Sequence, residues 1–125
     1  MKAIRHHRYG AADTLRADET DRPAPGSGEV LVKVAATSFN PVDATIRAGH
    51  LQQVFPVPLP HTPGIDVAGT VAALGDGVTA FAVGDAVYGM LPMTGGAAAD
   101  YVAAPVTGLA AWQADVAHAE PETLE

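Results

Sequence analysis

The sequence predicts a mainly β domain, a partly open barrel of short strands with short helices and a helix at the C-terminal end. Thirteen glycines and ten prolines are spread along the 125 residues and interrupt short apolar runs, as turns between strands do and loops of a helix bundle do not. From Glu29 to Thr37, Val30, Val32 and Val34 share one face while Leu31, Lys33 and Ala35 share the other, as in a strand buried on one side and mostly covered on the second. Three further short runs, Val67 to Leu74, Ala86 to Met90 and Asp100 to Ala104, are separated by glycine-rich turns, and such spacing suits a barrel.

Taken in order, residues 1–8 and 14–20 predict a hairpin around Tyr9-Gly10, and Asp21 to Gly28, with Pro23 and Pro25, predicts a connecting loop. Asn40-Pro41 begins a segment ending at Gly49. A cap residue, a proline in the first helical position and a terminal glycine predict one or two turns of helix. Between Phe55 and Pro63 stand Pro56, Pro58 and Pro60; each lacks a backbone donor, so this run is an extended loop able to line a cleft. Turns at Gly75-Asp76-Gly77 and Gly84-Asp85 bracket the next strands. Beyond Pro105, Val106, Leu109, Trp112, Gln113 and Val116 recur at intervals of three or four, which predicts the closing helix.

Composition narrows the function. One domain with a core fits this length. Fourteen acidic against seven basic residues leave a net charge of −7, so no basic stripe is available for a phosphate backbone and nucleic acid is not an expected partner. No cysteine is present, which removes disulfides and thiolate ligands and is compatible with a reducing cytoplasm, the expected location. The basic start (Lys2, Arg5, His6, His7, Arg8) is not followed by an apolar stretch, and no eighteen-residue apolar run occurs, so neither a signal peptide nor a membrane helix is expected. His6 and His7 are neighbours on a strand, point to opposite faces and cannot chelate one metal together.

Six collinear motifs then carry a resemblance: Met1-Lys2-Ala3-Ile4; Pro25 to Val34; Asn40-Pro41-Val42-Asp43; Pro63-Gly64-Ile65-Asp66-Val67-Ala68-Gly69; Gly75-Asp76-Gly77-Val78; and Val83 to Gly89. Their order resembles the medium-chain dehydrogenase/reductase superfamily over residues 1–105, the part that in that family forms a GroES-like β-barrel, with 106–125 resembling the linker into a cofactor domain. Zinc alcohol dehydrogenases of the superfamily have a cysteine on the first ligand segment and Gly-His-Glu where this chain has Gly64-Ile65-Asp66, so the resemblance is to the zinc-free branch of NADPH-dependent quinone and enone reductases, and no metal site is expected. Twenty residues follow Pro105, whereas one βαβ unit needs about 30. The expectation is a substrate-side domain without a dinucleotide domain, shortened and inactive by itself, with no cofactor held in this chain.

The same resemblance suggests site residues. Asn40 matches a family residue near the nicotinamide and ribose; as a favoured cap residue it equally suits the start of the helix. Asp43 lies beside it. Arg47, Thr62 and Asp66 match the cleft wall, with loop stabilisation or a solvated surface as the competing role, and Tyr88 and Met90 suit cleft lining or barrel packing. Gly75-Asp76-Gly77-Val78-Thr79-Ala80 fits the G-x-G-x-x-G/A pattern, yet Gly84-Asp85 follows too soon for the helix that a pyrophosphate site requires, so it is read as a turn. Two functions remain: the substrate half of an NADPH-dependent quinone or enone reductase, or a non-enzymatic or engineered β module that dimerises or binds a partner through the apolar face a second domain would cover.

Overall fold

A computed structural model describes residues 1–54 and 56–112. Seven strands and one helix follow in chain order: β1 (Lys2–His6), β2 (Leu15–Glu19), β3 (Glu29–Ala36), α1 (Pro41–Ala48), β4 (Asp66–Leu74), β5 (Ala86–Met90), β6 (Tyr101–Pro105) and β7 (Leu109–Ala111). β1 and β2 form the expected hairpin, and the other five strands form one antiparallel sheet in the order β6-β3-β4-β5-β7. The domain is thus mainly β and open at the edges, as the pattern of short strands predicts.

The valine alternation determines how the sheet is buried. Val30 and Val32 on β3, Val67 and Val71 on β4, and Val87 on β5 pack with Leu91, Ala97, Val102 and Ala104 into one core, all under 10% exposed. Period-two placement sends the intervening residues outward, so Thr70, Ala86, Tyr88 and Met90 are exposed. Cross-strand partners share a face, which sets Asp66 beside Met90 and Ala68 beside Tyr88 on the outer side. β3 shifts register by a bulge between Val34 and Ala36, and the following residues leave the sheet towards α1.

Helix α1 obeys the punctuation read from its sequence. Asn40 is its N-cap, Pro41 occupies the first turn, and Gly49 ends it in the left-handed region at φ 87°. The side chain of Asp43 reaches back to accept the Asn40 N–H at 2.9 Å, one half of a capping box. Hairpin and helix are tied together: the Gly10 N–H donates to the Arg47 carbonyl at 2.8 Å, and the Arg47 Nε donates to the Gly10 carbonyl at 3.3 Å. Residues 56–60 run without sheet pairing, as their prolines require, and His61 then forms an isolated bridge with His6.

One expected element is corrected. Residues 106–111 do not begin a C-terminal helix; Val106–Gly108 make a single 3-10 turn and Leu109–Ala111 are strand β7, paired with β5. The remaining positions of that expected helix, Gln113 and Val116, lie outside the described residues. Three apolar positions at spacing three fit a turn followed by a strand as well as a helix, because Val106 and Leu109 reach the core either way. The open edge of β5 decides the outcome: Gly89 presents no side chain, and a Cβ there would lie 1.9 Å from the Gly108 carbonyl oxygen. The backbones meet through that gap, and the Trp112 N–H donates to the Ala86 carbonyl at 2.8 Å.

Candidate functional site

The carboxylate of Asp66, at the first position of β4, organises the outer face beside the β3–α1 connection. Its Oδ2 accepts hydrogen bonds from the Ser38 hydroxyl at 2.5 Å and from the Asn40 side-chain amide at 3.0 Å. Its main-chain carbonyl accepts from the Thr37 hydroxyl at 2.7 Å. Three side chains of one connection therefore converge on one residue of the neighbouring strand. The Ser38 and Asn40 bonds hold the Asp66 carboxyl below its ordinary value of 3.8, against a smaller opposing effect of burial, so it is ionised at neutral pH. A cleft of about 220 Å³ opens here, lined by Ala36, Thr37, Ser38, Asp66, Val67 and Ala68. A second, apolar cleft of about 250 Å³ adjoins it across Thr37 and Ser38, with Ile4 and Leu15 of the hairpin, Phe39 and Pro63 among its walls.

The polarity of this cluster defines its chemistry. The Ser38 hydroxyl and the Asn40 amide spend donors on Asp66, leaving oxygen lone pairs on Ser38 and the Oδ1 atom of Asp66 as acceptors. Such a surface suits partners that bring O–H or N–H groups, ribose hydroxyls included. Beneath it Asp43 is only 4% exposed and bridges α1 to the next loop, its Oδ1 accepting the Gly64 N–H at 3.3 Å. Asp43 thus positions the backbone on which Asp66 stands.

The seven residues singled out from sequence divide among four places. Asn40 and Asp66 meet directly, and Asp43 underlies them. Met90 is the cross-strand partner of Asp66 and is 60% exposed, so it borders the same outer face. Tyr88 lies further along β5, with its ring edge-on to Trp112 at 5.5 Å between centroids. Arg47 faces the hairpin, holding the Gly10 carbonyl with its guanidinium 5.9 Å from the Phe39 ring centroid. Thr62, half-buried between His61 and Pro63, takes no part in the Asp66 bonds. Thr37 and Ser38 escaped notice because an isolated Thr-Ser before a helix is ordinary loop composition; only the strand-to-loop register aims both at Asp66.

Gly75-Asp76-Gly77 is a turn between β4 and the 78–85 loop, with the Gly75 N–H donating to the Glu29 carbonyl at 2.8 Å, and no helix follows it. Ile65, matched to the histidine of the zinc enzymes' Gly-His-Glu, is a core side chain, 2% exposed. Among the described residues no three histidine or carboxylate groups cluster as a metal would need, and no helix is long and apolar enough to cross a membrane.

The family model described as the alcohol dehydrogenase GroES-like domain matches residues 26–114. The chain belongs to this family. The GroES-like domain here is 39% identical over 126 residues to a chloroplastic quinone-oxidoreductase homolog of Spinacia oleracea, covering 99% of this chain and 38% of the relative. It is 42% identical over 97 residues to the quinone oxidoreductase of Rattus norvegicus, covering 77% of this chain and 29% of that protein. Among solved structures, the quinone oxidoreductase from Coxiella burnetii superposes with a TM-score of 0.81 at 30% identity, over 91% of this chain and 37% of that one. The Escherichia coli quinone oxidoreductase complexed with NADPH gives a TM-score of 0.81 at 27% identity, over 92% and 34% respectively. This chain therefore spans roughly a third of the length of these relatives, and quinone oxidoreductases recur among both sequence relatives and structural neighbours.

Proposed function

We propose that this GroES-like domain forms the substrate side of a metal-independent reductase that passes hydride from NADPH to a quinone or an α,β-unsaturated carbonyl. The acceptor-rich cluster of Ser38, Asn40 and ionised Asp66 beside an apolar cleft carries this reading. Ribose hydroxyls of the cofactor's nicotinamide half would donate to Ser38 and Asp66, and the apolar wall at Phe39 and Pro63 would receive a flat, electron-poor ring. The bound cofactor supplies the hydride. The chain's own residues orient: Asp43 holds Gly64 and the N-terminus of α1, and the Ser38–Asp66 bond keeps the hydroxyl in one rotamer, so a ligand meets a preformed surface. The substrate class follows the relatives' names and the apolar cleft together.

A pyrophosphate requires backbone N–H groups at a helix start or basic side chains. In the described residues the Gly75–Gly77 turn opens no helix and the start of α1 is occupied by the Asp43 carboxylate, so the acceptor cluster is assigned to the nicotinamide end of the cofactor. The 125 residues alone are accordingly proposed to be inactive, the phosphate-binding part coming from other residues. Titration of the purified chain with NADPH, read by Trp112 and cofactor fluorescence, checks this. No saturable binding and no quinone-dependent NADPH oxidation above the buffer rate are expected; tight binding with turnover would show that these residues build a complete cofactor site and would overturn the assignment to one half of the reductase.

The second function weighed from sequence, a β module that associates through its apolar face, draws on the exposed side chains of Phe39, Tyr88 and Met90, which are 62%, 43% and 60% exposed. Self-association and reductase function are compatible. A reducing compartment is proposed on the absence of cysteine; the spinach relative is described as chloroplastic.

A further inference from the structure

The hairpin meets the loop carrying the site through a pair of buried histidines. His6 is fully buried and His61 is 7% exposed. Their backbones bond reciprocally, His6 N–H to the His61 carbonyl at 3.0 Å and His61 N–H to the His6 carbonyl at 2.9 Å. The rings stand edge to face at 82°, with His6 Nε2 and His61 Nδ1 only 2.9 Å apart. Each remaining ring nitrogen faces a backbone carbonyl: His6 Nδ1 lies 3.0 Å from the Arg8 oxygen and His61 Nε2 lies 2.6 Å from the Thr94 oxygen.

The proton count follows from the partners. A carbonyl oxygen only accepts, so both outer nitrogens must carry hydrogen. A neutral imidazole has one N–H, so two neutral rings bring two hydrogens to three contacts and leave one of them, inner or outer, with lone pairs facing each other. A tetrahedral zinc with bonds of about 2.0–2.1 Å would hold the two nitrogens about 3.3–3.4 Å apart, wider than the 2.9 Å seen here, and among the described residues no third histidine or carboxylate gathers with them. One extra proton satisfies all contacts. We propose that His6 and His61 share a single additional proton and form a buried, singly charged clasp that locks β1 to the segment running from His61 to Asp66.

The charged group facing the pair from α1 is Asp43, whose field favours charge on His61, and Tyr9 lies 6.3 Å from the His6 ring between β1 and β2. The other contacts are the Arg8 and Thr94 carbonyls. Burial, ahead of the Thr94 bond that opposes it, and the neighbouring His6 hold the His61 imidazole below its ordinary value, which makes His61 the acceptor across the inner gap.

Such a pair takes one proton readily and resists two. Below the ordinary histidine value of about 6.5, the unfolded chain binds both protons and the folded chain one, so stability rises with pH. A pair that keeps its shared proton above this value, where the unfolded chain holds none, loses stability again as the pH rises further. The clasp's contribution therefore peaks near the ordinary histidine range. Two buried neutral rings would instead give a contribution that rises and then stays level.

The full chain labelled with ¹⁵N-histidine tests this by through-bond correlation of the ring nitrogens from about pH 5 to about pH 9, a range spanning that value. Three protonated nitrogens and one bare nitrogen across His6 and His61 near neutrality are expected; two of each, with both rings neutral throughout, would overturn the clasp. Unfolding midpoints of the parent chain and His61→Gln over the same range give a second reading. A difference that falls on both sides of its maximum is expected, and one that only rises with pH refutes the proposal. Should His61→Gln fail to fold, the nitrogen count on the parent chain decides alone.

Discussion

Asp43 shows how one side chain can serve the site without facing it. Almost fully buried, it accepts from the N–H of Asn40 and from the N–H of Gly64, so it joins the helix start to the loop that delivers Asp66. Asp43→Ala strands both donors and removes a charged acceptor, and buried donors left unpaired cost about 1–3 kcal/mol each. Since Gly64 lies at the longer bond, a loss of about 2–4 kcal/mol in urea unfolding is expected, with Asn40 and Asp66 no longer held together. A loss below about 0.5 kcal/mol, the range of ordinary surface substitutions, would mean that water replaces both bonds. Asn40 and Asp66 were legible as candidates from the motifs around them, whereas Ser38 was not: its partner lies 28 positions away in sequence. Their meeting also bears on the choice left open for Asn40, because a residue at the N-cap of α1 spends its amide donor on the strand opposite. Helix start and Asp66 partner are one position.

At the scale of elements, local punctuation was a reliable guide wherever the chemistry is local. Asn40-Pro41 and Gly49 mark the two ends of α1, and the β4 and β5 strands lie where alternation and turns place them. Strand β7 is different, because its residues carry no strand signal of their own and owe their conformation to the edge of β5. Gly89 is the enabling position. Gly89→Val would drive a side chain into the Gly108 carbonyl, since even a Cβ would come within 1.9 Å of it. Detachment of β7 without loss of the β3–β4 core is expected. Hydrogen exchange would read it as lost protection at Trp112, whose N–H bonds to Ala86, with protection at Val30 and Val32 retained. Global unfolding in place of local detachment would mean that β7 is integral to the core.

For the whole molecule, apolar surface and charge pull in opposite directions. A net charge of −7 favours separation of copies, while Phe39, Tyr88 and Met90 expose apolar surface near the cleft and along β5. Exposed apolar side chains give copies of the chain a surface through which to associate. Sedimentation is expected to show a monomer–dimer equilibrium that strengthens with salt, as screening weakens the repulsion, and that Met90→Ser weakens by about tenfold, or 1.4 kcal/mol. A monomer at every concentration and salt would assign the face to another protein segment.

The sequence by itself determined what short-range physics controls: the strand faces through period-two valines, the ends of α1 through its cap and glycine, and the loops through proline. Its motifs also carried the family. Tertiary structure alone decided three things. It turned residues 106–111 from an expected helix into a 3-10 turn and an edge strand; it brought Thr37, Ser38 and Asn40 onto Asp66; and it set His6 against His61 across 55 positions. In each case the deciding partner is distant along the chain, and a hydrogen bond between distant residues leaves no periodic trace in the sequence that makes it.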